Sequence, residues 1–226
     1  VVVIAIGIFA LLRAKEIEGL AKAGRADAVA GLNSLAANDA PTALASFQKA
    51  QAEFSSARDL LGPEWLHGIP WLGDQFASAD NLAAIGVAGS SAGANAAQLM
   101  SEVDQVPHSL SRDQWIGRVM ELARPRLDAA LVSLVEVAHR YDGLKTDGLL
   151  PPLTDAVTEV KGKIAPLEGV LRRSESLLDL ERYLLGSQHT FLVLTQNSAE
   201  LRPTGGFMGT YGLIEVGPSG FLPAKY

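Results

Sequence analysis

The sequence predicts a mainly α protein: an N-terminal membrane-anchor helix, a kinked antiparallel bundle of coiled-coil-like helical hairpins, and a small C-terminal α+β element. Three observations carry this. Twelve uncharged, strongly apolar residues open the chain, apolar seams stepping by four and three run through most of the next 170 or so residues, and β-branched segments appear only after Gly186. The expected divisions are an anchor at 1–14, a helical bundle or stalk at 15–186, and the start of an α+β head at 187–226.

The opening run, "VVVIAIGIFALL", reaches Arg13 and Lys15 before any charge. As helix it covers roughly 18 Å, against roughly 30 Å of bilayer hydrocarbon, so it is too short to span alone. We read it as the outer half of a truncated transmembrane anchor, with Val1, Val2, Val3, Ile4, Ile6, Ile8, Phe9, Leu11 and Leu12 in lipid. The competing reading is a buried core helix. No small-x-small cleavage site comes after it, which argues against a cleaved signal peptide. The flank mixes Arg13 and Lys15 with Glu16 and Glu18, so charge does not set orientation.

A helical stripe continues through Ile17, Leu20, Ala21, Ala28, Leu32 and Leu35 until "ANDAP" breaks it. Asp39 there is an expected N-cap and Pro41 is tolerated in a first turn. The next helix carries Ala43, Phe47, Ala50, Phe54, Ala57 and Leu61 on one seam, and the two should fold back as an antiparallel hairpin. Gly62, Pro63, Pro70 and Gly73 then mark a loop around Trp65, His67 and Trp71.

Residues 76–100 carry no charge after Asp80, with Gly86, Gly89 and Gly93 among alanines and serines. Gly89-x-x-x-Gly93 is a close-approach motif in lipid, but Asn81, Ser90, Ser91, Asn95 and Gln98 are costly there. We therefore expect a tightly packed helix in a water-facing bundle. Ser111 and Gln114 have capping-box spacing, opening a seam of Ile116, Met120, Ala123, Leu127, Leu131, Leu134, Ala138 and Tyr141 that stops at Asp142-Gly143. A last seam, Leu153, Val157, Val160, Ile164, Leu167, Leu171, Ser174 and Leu178, ends near Gly186. The two seams should pair as a coiled-coil-like hairpin, with kinks at Pro125 and Pro166.

Composition excludes several chemistries. A formal charge of −6 without basic clusters argues against nucleic acid, and the absence of cysteine removes disulfides, thiolate metal sites and thiol catalysis. The four histidines stand apart without ligand spacing, so no metal is expected. No phosphate-loop or dinucleotide fingerprint occurs, and no cofactor is expected. The carboxylate pairs Asp155/Glu159 and Glu175/Asp179 read as solvated helix faces.

Beyond Gly186, residues 189–196 read as a strand, 207–216 as another, and Gly217-Pro218-Ser219-Gly220 as a turn into Phe221 and Leu222. Between the strands lies a polar loop stiffened by Pro203. Its glycines, Gly205 and Gly206, permit positive φ and close backbone approach. "QNSAELRPTGGFMGTYGLIEV" closely resembles the signature of a bacterial family catalogued as domain of unknown function 4012. The matching residues are Asn197, Glu200, Leu201, Arg202, Pro203, Thr204, Gly205, Gly206, Phe207, Gly209, Tyr211 and Gly212. The resemblance is specific over about twenty residues and only architectural upstream. It implies a single-pass, membrane-anchored protein of actinobacteria and related groups, its bulk extracytoplasmic and its chain longer than this one. It implies no established reaction.

These readings leave two functions. One is a non-catalytic accessory or docking subunit at the cell envelope, held to the bilayer by its N-terminal helix and contacting other membrane or envelope proteins. The alternative is an envelope enzyme or binding protein for an anionic glycan or lipid-linked sugar. Arg202 would then clamp the anion, with Asn197, Glu200, Thr204 and the Gly205 and Gly206 amides around it. In the structural alternative for the same loop, Arg202 pairs with Glu200 or helix carbonyls, and the glycines let backbone cross the sheet.

Overall fold

A computed structural model of the chain describes residues 2–61, 72–165, 169, 173–197, 206–218 and 220–225. Its main elements are α1 (Val2–Ala36), α2 (Ala40–Leu60), α3 (Leu72–Asp104), α4 (Arg112–Asp142), α5 (Pro151–Ile164), α6 (Ser174–Gly186), β1 (His189–Asn197), β2 (Phe207–Gly217) and β3 (Gly220–Lys225). The chain is mainly helical with one small antiparallel sheet at its C-terminal end, as the seams and the late β-branched run predict.

The α1–α2 hairpin turns where the sequence breaks. Asn38 takes a left-handed φ of 60°, a conformation its short polar side chain tolerates. The Asp39 carboxylate then accepts from the Thr42 amide at 3.2 Å, capping α2, and Pro41 occupies the first turn. Ala43, Phe47, Ala50, Ala57 and Leu61 of the expected seam are buried.

What these residues bury against sets the bundle. The ring of Phe47 lies between Gly31 of α1 and Gly93 of α3, and that of Phe54 between Gly24 and Gly86. A Cβ at Gly31 would stand 3.0 Å from the Phe47 ring, and one at Gly93 2.5 Å. For Phe54 the corresponding distances are 3.1 Å at Gly24 and 2.5 Å at Gly86. Each glycine pair and the phenylalanine pair are one heptad apart, so two rings on α2 fill two matched sockets. The order reverses from helix to helix, which makes α1, α2 and α3 successive antiparallel neighbours. Burying an aromatic side chain so completely contributes about 1.5–3 kcal/mol, and Phe47 is 2 % exposed. Of the Gly89-x-x-x-Gly93 spacing noted in the sequence, only Gly93 is a close approach. A Cβ on Gly89, which is exposed, would meet nothing within 4 Å.

Helix α3 is the centre of the bundle. Ala83, Ala84, Ile85, Ala88 and Ala97 are buried along it, and small side chains let neighbouring helices approach. The α3–α4 pairing is antiparallel, marked by the contacts Asp80–Arg140, Ser91–Ser133 and Glu102–Arg126. The capping box opening α4 is complete: Ser111 Oγ accepts from the Gln114 amide at 3.4 Å, and Gln114 Oε1 accepts from the Ser111 amide at 3.1 Å. The helix runs on through Pro125 and stops at Asp142.

The last seam departs from expectation. Instead of one helix pairing along α4, the stretch 151–186 contains α5 and α6 as separate helices, and the principal partner of α4 is α3. Helix α5 sends Val157 into a cluster with Ile85, Ala88, Val137 and Leu144, so it packs across α3 and α4 together. Pro166, Leu167 and Leu171 lie outside the described residues, as does the loop with Trp65, His67 and Trp71. On α4, the seam residue Leu127 is 43 % exposed. The α4–α5 connection is held by Gln75, whose Nε2 donates to the Gly148 carbonyl at 2.8 Å and whose Oε1 accepts from the Leu150 amide at 2.9 Å.

Candidate functional site

The sheet stands where the helical pattern ends. Ser187 is extended after α6, and β1 pairs antiparallel with β2 from His189↔Val216 to Asn197↔Phe207, with a register shift between Thr195 and Gln196. β3 pairs on the far side of β2, giving the order β1-β2-β3 with β1 and β3 as edges. Two contacts tie the sheet to the helices, and a third ties α6, from which the sheet leads, to α4. His189 Nε2 lies 2.7 Å from the Tyr183 carbonyl oxygen, with the two rings 4.4 Å apart. Arg124 of α4 donates to the Pro218 carbonyl at 3.4 Å, and Arg182 of α6 donates to Asp128 of α4 at 3.3 Å.

Register assigns the faces, because directly opposed residues point the same way. Phe191, Val193, Gly212, Ile214 and Val216 share the face turned to the helices, which cover β2, where Gly212 and Val216 are buried, but leave Phe191 and Val193 of β1 exposed. Leu192, Leu194, Tyr211 and Leu213 share the outer face, at 57, 51, 63 and 39 % exposure. A sheet packed on one side ordinarily turns polar residues outward; this one has Thr190 and Glu215 on that face but turns four large aliphatic and aromatic side chains out beside them. Leu192, Leu194, Gly209, Thr210 and Tyr211 line a hollow of about 450 Å³.

The loop expected to bind an anion joins β1 to β2. Asn197 and Phe207 oppose each other at its base. Glu200, Arg202, Thr204 and Gly205 lie outside the described residues, as does the Asn197 side chain. Gly206 is buried with φ 149°, a conformation that L side chains rarely adopt. That accounts for glycine at this position by backbone geometry. Of the expected lipid-facing residues, Val1 lies outside the described residues, as do the side chains of Val2, Val3, Ile4, Ile6, Ile8, Phe9, Leu11 and Leu12, although residues 2–12 belong to α1. Among the described residues no helix is long and apolar enough to cross a membrane.

The acid–base candidates are accounted for in part. Glu159 accepts from Arg25 of α1 at 2.8 Å, tying α5 to the hairpin. Asp155 and Asp179 are exposed, and the Glu175 side chain lies outside the described residues. Among the described residues no group of three His, Asp or Glu side chains is placed to hold a metal.

One cluster is not evident from the sequence. Asp80 of α3 accepts from Arg58 Nε of α2 at 2.8 Å and from Arg140 Nη1 of α4 at 3.0 Å. Arg140 also donates to Asn81 Oδ1 at 3.3 Å and to Glu136 at 2.6 Å. The Glu136 carboxylate, with Asp80 beside it, raises the Arg140 pKa above its ordinary value despite partial burial. The one signal in the sequence is Asp80 itself, the last charge before a long uncharged stretch. The cluster consists of mutually satisfied ions binding three helices, with no open position for a substrate. A shallow cleft of about 300 Å³ between α3 and α4 is walled mainly by apolar side chains such as Leu99, Met100 and Leu127, with Asn95, Asp104 and Arg126 among its lining; Asn95 donates to the Ser91 carbonyl and Arg126 to Glu102.

Compared with known proteins, the chain matches no family model, no curated protein and no solved structure.

Proposed function

We propose that this chain is a non-catalytic, membrane-anchored docking or accessory protein of the bacterial envelope. The helical bundle is its spacer and the sheet is the surface offered to a partner. The observation that supports the docking reading is the outer sheet face, where Leu192, Leu194 and Tyr211 are each more than half exposed. Clustered apolar surface of this kind is a mark of interaction sites in folded proteins. The envelope placement rests on the likeness of residues 197–212 to the domain of unknown function 4012 signature and on the apolar run at 1–12.

The test is recovery from gently solubilised membranes. The chain should sediment with membranes through a salt wash, leave them in detergent, and co-purify with a stoichiometric partner, another protein or another copy of itself. Tyr211→Asp should release that partner without changing the melting temperature by more than about 2 °C, a surface-sized effect. A lone monomer in every extract overturns the docking reading, and release by salt alone overturns the anchor.

A further inference from the structure

We infer that β1 pairs edge to edge with β1 of a second copy, joining two three-stranded sheets into one of six strands. The inference rests on the reading of the sheet as a docking surface and names its occupant.

The two edges of the sheet differ. Native proteins protect exposed edges with proline, charge and irregular register. β3 has two of these in its backbone: Pro223 has no amide to donate, and its pairing with β2 shifts between Leu213 and Glu215. β1 has neither proline nor a formal charge in its nine residues, and its one register shift falls near its end, after Thr195. Phe191, Leu192, Val193 and Leu194 are exposed in succession at its middle, so both faces are open beside an edge that no described strand pairs.

Symmetry then selects the partner. Two identical strands lying side by side and antiparallel are related by a two-fold axis perpendicular to the sheet. That axis keeps outer face with outer face, so it must pass through a residue position. Centred on Val193 it uses all nine residues of β1. Val193 then faces its own copy, Leu192 faces Leu194, Phe191 faces Thr195, and His189 faces Asn197. Every apolar pair on the outer face is aliphatic against aliphatic, and no like charges oppose each other in a chain whose formal charge is −6. The outer faces merge into one apolar surface across the axis. One strand pair buries less than the ~800 Å² per partner of a standard interface, so the dimer is weak in solution, with a Kd on the order of 10–100 µM.

Sedimentation equilibrium of the purified chain in mild detergent reads this directly, with no other protein present. The wild type should pass from monomer to dimer as its concentration rises to about 500 µM, well above the expected Kd. L192K/L194K and L192E/L194E, altered at exposed positions, should each stay monomeric, and their equimolar mixture should dimerise. The chain has no cysteine, so V193C alone should give a cross-linked dimer with a short bismaleimide, whereas T210C on the central strand should not. A wild type that stays monomeric with intact far-UV circular dichroism overturns the inference. So does a dimer that survives L192K/L194K. Either result leaves docking to a different protein standing, since extract co-purification tests that separately.

Discussion

Arg140 of α4 reaches the Asp80 carboxylate of α3 at 3.0 Å, at a level of the bundle where Arg58 of α2 arrives from the other side. Three helices therefore share one carboxylate. Asp80→Ala leaves two partly buried guanidinium groups without their common acceptor. The expected cost is about 2 kcal/mol, between the values for exposed and fully buried pairs. Urea denaturation checks it, and Arg58→Ala in the Asp80→Ala background should cost far less than Arg58→Ala alone.

The glycine sockets make opposite predictions for glycines on one helix. Gly93→Ala puts a methyl 2.5 Å from the Phe47 ring and should destabilise by about 1–3 kcal/mol. Gly89→Ala meets nothing within 4 Å and should stabilise by about 0.5–1 kcal/mol through helix propensity. Combining Gly93→Ala with Phe47→Leu should recover part of the loss. Chemical denaturation of these variants is sufficient.

Two carboxylates give pH dependences of opposite sign. The hydrogen bond from Arg126 holds Glu102 below the ordinary glutamate range, so its contribution is present above the unfolded value and lost as pH falls. Burial raises Glu53, with Asp27 beside it adding to the shift and Lys49 opposing it. Its protonated form is favoured in the fold, so its contribution is lost as pH rises. Glu102→Gln should therefore cost about 1 kcal/mol at pH 7, and Glu53→Gln should raise the melting temperature there. Both differences should shrink toward pH 4, which thermal melts at several pH values would show.

Gly206→Ala forces a side chain into a backbone conformation with φ 149°. The expected cost is about 1–3 kcal/mol, read by thermal denaturation. Normal stability in that variant would show that the loop adapts, and would return Gly206 to the set of residues reserved for a ligand.

Local signals were the legible ones. Asp39, Pro41, Ser111, Gln114 and Asp142-Gly143 set helix ends through backbone hydrogen bonds within a few residues, and the structure uses each as expected. The seam of α2 was legible because one helix face sufficed to define it. What faces that seam was not: Gly24, Gly31, Gly86 and Gly93 are sockets only once α1 and α3 are docked. The pairing expected for α4 was met only in part: both α5 and α6 touch α4, but as separate helices, and α5 also packs on α3. A seam specifies that something is buried, and Val157 was claimed jointly by α3 and α4. The outer sheet face was hidden because alternation in residues 189–197 is apolar on both sides. Partner choice needed the register.

Because the Phe47 and Phe54 sockets share one spacing, the bundle has a built-in slip increment of about 10.5 Å, two helical turns. Sliding α2 by a single turn would unseat both rings at once, and sliding it by two would reseat one while stranding the other. The hairpin cannot ratchet in small steps, so it transmits a displacement along its axis as a strut does and does not absorb it.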